Sequence, residues 1–163
     1  MRAALSWGEV TEVTDPWTTA RELDQRVRAA AFGFLRREVQ LRGEVLPRSV
    51  LAEGFQFGGL RVPLIGPQGI FKPAVLPEMP LTITTVPEIE GRVRPYEDEI
   101  GNDGLLLYRY RGSDRNHRDN VGLRLAMRRQ APLIYLYGVI PGEYLRFGRC
   151  TSSATIPAGC RSR

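Results

Sequence analysis

Between Tyr108 and Asn120 the chain reads YRYRGSDRNHRDN: four arginines, two tyrosines and His117, the one histidine among 163 residues. Arginine forks suit phosphate oxygens, tyrosine rings stack on bases, and a histidine can carry a proton or hold a metal. The histidine count decides among these. A metal-dependent nuclease of the ββα type uses histidines both as ligand and as general base, so this chain alone cannot supply such a site. His117 is therefore read as a loop residue facing solvent or phosphate. No Gly-x-Ser-x-Gly elbow presents a serine nucleophile, and Lys72, the one lysine, is followed by proline in GPQGIFKP, so the Gly-Lys-Ser/Thr ending of a phosphate-cradling loop is absent. No catalytic residue, metal ligand or cofactor is assigned, and no metal-dependent cleavage by this chain alone is expected.

Three acids, Glu97, Asp98 and Glu99, stand together in RPYEDEIGNDG. Adjacent carboxylates on an irregular segment point in different directions, so by default they form an acidic turn rather than a shared metal site. Beside aromatic rings a carboxylate has another use: it accepts the exocyclic amine of a cytosine. Cys150 and Cys160 both fall in the last fourteen residues, build no disulfide framework or four-ligand zinc site, and are expected as unpaired thiols. The net charge is +5, and from Leu105 to Gln130 seven arginines face two aspartates, a local excess equal to that of the whole chain. A polyanion would be met there.

The elements that must position these residues follow from patterning. A chain of this length with 42% hydrophobic residues suits one domain with a real core. Residues 1–13 are read as a flexible N-terminus, 14–147 as the domain (helical over 14–54, sheet over 55–147) and 148–163 as an unstructured tail. With no long apolar run, and acids where a secretory signal needs an apolar stretch, no membrane partner and a cytoplasmic location are expected. The spacing of Leu23, Val27, Ala30, Phe34 and Leu35 predicts a helix over Asp15–Arg42, capped by Thr14 or Asp15 and stopped by Gly43. A second helix is expected over Pro47–Glu53. Strands are expected over Phe55–Val62, Leu81–Val86, Gly104–Arg111, Pro132–Ile140 and Glu143–Phe147, with a helix over Asp119–Gln130 whose apolar positions are Val121, Leu123, Leu125, Ala126 and Met127. The connection 66–80 carries two glycines and four prolines, so it is irregular, and Ile70, Phe71, Val75, Leu76 and Met79 pack it down. The sum is an α+β fold: a long N-terminal helix, a mainly antiparallel sheet curling toward a barrel, and one inserted helix. A winged helix is the weaker alternative, because the second helix offers only Arg48, Ser49 and Glu53 as polar readers.

PYEDEIGNDGLLLYRYRG over residues 95–112, Asp119-Asn120 near the start of a helix, GLRLAM within it and PLIYLYG after it resemble the core of an SRA domain, the PUA-like fold that reads modified cytosine in DNA. From about Phe32 to Phe147 the chain is similar to the N-terminal half of bacterial modification-dependent restriction endonucleases, where this reader precedes an HNH nuclease; LPRSVLAEGFQFGGLRVPLIGPQGIFKPAVL and LTITT belong to that pattern. The resemblance implies double-stranded DNA with a methylated or hydroxymethylated cytosine as partner, read by base flipping. It implies Tyr96 in the base pocket, Asp98 or Glu99 as the cytosine-reading carboxylate, Tyr110 stacking from the other side, and Arg111 where the family often has threonine. Arg109, Arg115, His117 and Arg118 would grip the DNA backbone, and Asn120 would open the helix as a structural and phosphate-side residue. The tail GRCTSSATIPAGCRSR resembles neither the reader nor the nuclease, which leaves a truncated or frame-shifted product or a stand-alone reader as expectations. An endonuclease fragment needing its nuclease module and an RNA-binding PUA-like domain are the alternative functions, and formation of a homodimer is left open.

Overall fold

The computed structural model describes residues 16–87, 99–100, 106–108 and 111–150. Helix α1 spans Pro16–Arg42 and ends where Gly43, at φ 94°, donates its N–H to the Val39 carbonyl. Strand β1 (Val45–Pro47) leads into the short helix α2 (Arg48–Glu53), which Gly54 closes at φ 68°. The single strand expected over 55–62 is instead a hairpin, β2 (Phe55–Phe57) and β3 (Leu60–Val62). Gly58 and Gly59 both take positive φ, the two-residue turn whose twist suits adjacent antiparallel strands. Strands β4 (Ile70–Phe71), β5 (Thr82–Thr85), β6 (Glu99–Ile100) and β7 (Leu106–Leu107) follow, then helix α3 (Arg118–Arg128) and the long strands β8 (Leu133–Ile140) and β9 (Glu143–Cys150).

The architecture is α+β, built on a five-stranded sheet in the order β1-β9-β8-β5-β4. Its pairs are antiparallel except β5 with β8, which run parallel with Thr82 opposite Ile134. Among the described residues the sheet does not close into the expected barrel: β1 and β4 are separate edges, three and two residues long and each bounded by a proline or a glycine. At the other end, β9 continues three residues past the expected boundary at 147, bringing Cys150 opposite Leu133.

Alternation along the central strands sorts two cores onto the two faces of the sheet. Ile134 and Leu136 join Val27, Ala31, Phe34 and Leu35 of α1, together with Leu51, Phe55 and Val62. Leu133 and Tyr135 face the other way, with Ile83, toward Leu123 and Ala126 of α3. Covered on both sides, all four residues of β5 are buried, as expected for a strand running parallel to its neighbour between helical layers. The 66–80 connection is packed down as its apolar residues require, with Leu76, Met79 and Ile70 buried. Val121, expected on the apolar face of α3, is instead exposed.

One buried ion pair ties the layers together. Arg28 donates to both carboxylate oxygens of Asp24, at 2.6 and 3.0 Å, and its remaining N–H groups reach the carbonyls of Pro80 (3.0 Å) and Pro132 (2.8 Å). Those prolines precede β5 and β8, so α1 fixes the starting ends of the two parallel strands.

Candidate nucleic-acid interface

Asn120 organises the loop that leads into α3. Its side chain is fully buried, its Oδ1 accepts the Arg111 N–H at 2.8 Å, and its Nδ2 donates to the carbonyls of Arg111 (2.9 Å) and Asp114 (2.8 Å). Both amide donors are thereby spent on loop backbone. The phosphate-side part of the role expected for Asn120 does not fit this geometry, because an atom with no exposed surface cannot meet a backbone oxygen; the residue positions the loop.

Around that clamp the turn is self-supporting. Asp114 Oδ1 accepts the Asn116 N–H at 2.8 Å, and His117 Nδ1 accepts the Asp119 N–H at 3.2 Å, capping α3 in place of the usual hydroxyl or carboxylate. Asp119 lies in the first helical turn, where a negative charge meets the unsatisfied N–H groups. It takes the Arg111 Nη1 at 2.9 Å and lies 3.5 Å from the Arg118 Nε. Arg111 also donates to Gln68 Oε1, which brings the 66–80 connection to the loop. Arg115 is exposed, and the Arg118 side chain keeps 84% of its accessible surface. These two arginines face solvent, while Arg111 and Arg129 are engaged by Asp119 and by Glu78 (2.5 Å).

Tyr96, Asp98, Arg109 and Tyr110 lie outside the described residues. For Glu99 the backbone alone is described, opposite Leu107 in the β6-β7 ladder. The flanks of Tyr110 are described. Tyr108 donates its hydroxyl to the Thr84 carbonyl at 3.2 Å, lying so close to Gly69 that a Cβ there would come within 2.5 Å of the hydroxyl oxygen. On the far side, Arg111 is held by Asn120, Asp119 and Gln68. Two anchors therefore bracket residues 109–110, both against the start of the 66–80 connection.

The sheet face beside these anchors is aromatic and polar. Tyr135 shares a 2.8 Å hydrogen bond with Thr85 Oγ1, its ring stands edge-on to Tyr137 at 6.4 Å, and Tyr108 and Tyr137 pack against the same cluster. Sequence reasoning missed Gln68, Tyr108, Tyr135 and Tyr137 as neighbours of the site. The alternation Tyr-Leu-Tyr over 135–137 was the available signal for the last two, since it puts both rings on one face. Nothing in the sequence pointed to Gln68. Among the described residues no group of three or more His, Cys, Asp or Glu could hold a metal, and no helix is long and apolar enough to cross a membrane.

Comparison with known proteins adds little to this geometry. No protein-family model matches the chain, and no solved structure matches it. A phosphoglucosamine mutase of Pelobacter propionicus is 50% identical over 32 residues, a stretch that is 20% of this chain and 7% of that enzyme. So short a share of the mutase carries neither its fold nor its activity to this protein.

Proposed function

We propose that this protein is a DNA-binding module that recognises a methylated or hydroxymethylated cytosine by taking the base out of the duplex, and that it belongs to a restriction-endonuclease lineage in which cleavage is the work of a separate HNH module. Reading a modification on a base edge requires access around the whole base, and extrusion costs a few kcal/mol that stacking and phosphate contacts must offset. In this reading Tyr110 and Tyr96 supply the stacking faces, Asp98 or Glu99 accepts the cytosine amine, and Arg109, Arg115 and Arg118 grip phosphates.

The observation that supports this most is the double anchoring around Tyr110, through the Tyr108 hydroxyl on Thr84 and the Asn120 clamp on Arg111. A residue that stacks on a flipped base must be presented by rigid neighbours, since any freedom left in the pocket subtracts from binding. The exposed Arg115 and Arg118 follow that anchor in the loop and at the start of α3, where their forks are open to phosphate oxygens. Asn120 acts through the loop it fixes.

The test is Tyr110→Ala, measured on duplexes that differ in one 5-methylcytosine. Binding to the methylated duplex is expected to fall about tenfold or more, one base-aromatic stack being worth roughly 1–3 kcal/mol, with little change for the unmodified duplex. Equal losses on both would take Tyr110 out of any base pocket.

A further inference from the structure

The outer face of α1 carries charge that the linear sequence conceals. Arg26, Arg36 and Arg37 are exposed there, with Arg21 exposed near the start of the helix, against Glu22 as the one exposed acid of the helix. The other two acids within α1 are already occupied: Asp24 is buried with Arg28, and Glu38 holds Arg42 at 2.7 Å. Among the described residues none of these arginines has a carboxylate partner. Arg26 lies over the Phe57 ring at 5.8 Å, and the Arg37 guanidinium lies back across Gly33, 3.7 Å from where a Cβ would stand. Eleven residues apart, these two share one line along the helix about 16 Å long.

Resting on the DNA-reading function above, we propose that this face is a second nucleic-acid surface, taking the sugar-phosphate backbone of a separate duplex segment, so that one molecule bridges two. Separation of the surfaces follows from the layers. α1 packs on the sheet face that carries Ile134 and Leu136, and α3 on the face that carries Leu133 and Tyr135, so the outer side of α1 is turned away from the loop 111–118. Helix, sheet and helix together put roughly 20 Å between the two basic surfaces, and a duplex whose persistence length is about 150 base pairs does not fold back around so small a body. The contact is to phosphate: arginine forks give bidentate contacts to phosphate oxygens, while no aromatic residue stands exposed among the described residues of this face to stack on a base. A membrane surface fits less well, because a helix lying in a lipid interface presents an apolar side to it, and among the described residues of α1 Leu41, at its end, is the one large exposed apolar side chain.

The test is co-capture. A biotinylated duplex carrying 5-methylcytosine is fixed on beads, the full chain is added, and retention of a fluorescent unmodified duplex is measured. Wild type is expected to retain it, and Arg26→Glu with Arg37→Glu to lose at least tenfold while still binding the bead-bound duplex with its preference for the modified base. Arg26→Gln with Arg37→Gln is expected to fall in between, and serves if the charge reversal perturbs folding. Undiminished co-capture by both variants overturns the proposal and points to bridging by self-association. Retention of phosphatidylserine vesicles in place of the second duplex overturns it in favour of a lipid surface. Loss of the modified-base preference in wild type, with arginine-dependent co-capture intact, would remove the base-reading function and leave this surface standing.

Discussion

Asn120 and Arg111 exchange two hydrogen bonds, side-chain oxygen to backbone N–H at 2.8 Å and side-chain nitrogen to backbone carbonyl at 2.9 Å. One buried amide thereby imitates the paired bonds of neighbouring antiparallel strands and fixes the residue next to Tyr110. Asn120→Ala leaves the Arg111 N–H and the Arg111 and Asp114 carbonyls without this partner, and unmade buried bonds cost about 1–3 kcal/mol each, partly recovered by water. We predict a loss of roughly 3 kcal/mol in denaturant unfolding, together with weakened discrimination for the modified base. A loss below about 0.5 kcal/mol, typical of a surface change, would show that the clamp does not hold the loop.

The buried Asp24–Arg28 pair makes a sharper energetic test, because its worth depends on which partner is removed. Arg28→Met leaves a carboxylate uncompensated in the interior, a situation that typically costs about 3–5 kcal/mol. Asp24→Leu with Arg28→Met removes both charges, and we predict a stability nearer wild type than Arg28→Met alone. A double variant at least as unstable as that single one would mean that the bonds to the Pro80 and Pro132 carbonyls, rather than charge compensation, dominate.

Much of the framework was legible because its signals are local. Pro16, Gly43 and the three-and-four spacing from Leu23 to Leu35 mark α1, a β-branched run marks β5 and an apolar run marks β8. The hairpin at Gly58-Gly59 was missed although the dipeptide is itself a turn signal, because the apolar residues on either side read as one strand. The parallel pairing of β5 with β8 and the open edges depend on which strands meet across the sheet, which periodicity does not encode. In the site, the arginines were found by counting, yet counting cannot tell Arg111, held by Asp119 and Gln68, from Arg118, facing solvent. The same limit hid the α1 face: Asp24 and Glu38 cancel two arginines on paper, while folding pairs them with Arg28 and Arg42 and leaves Arg26, Arg36 and Arg37 exposed, without a carboxylate partner among the described residues.

Two glycines with positive φ should respond differently to alanine. At Gly54 a Cβ would stand 2.0 Å from the Val62 carbonyl oxygen, so backbone must move, whereas at Gly58 nothing lies within 4 Å. Gly58→Ala is predicted to cost only the left-handed backbone term, about 1–2 kcal/mol. Gly54→Ala should cost more and lower the thermal midpoint further. Equal midpoints for the two variants would contradict the close approach of β3 to the end of α2.

Arg115 and Arg118 are predicted to act through phosphate alone. Replacing either by alanine should weaken binding to modified and unmodified duplexes alike and reduce the slope of log K against log salt by about 1. A slope unchanged within error would place that arginine outside the interface.

The most direct measurement is the affinity of the purified chain, at one fixed salt concentration, for three duplexes of a single sequence whose central cytosine is unmodified, 5-methylated or 5-hydroxymethylated. A base reader is predicted to bind at least one modified duplex tenfold or more tightly than the unmodified one. Indistinguishable affinities for all three would contradict the account, leaving a basic protein that holds DNA without reading it.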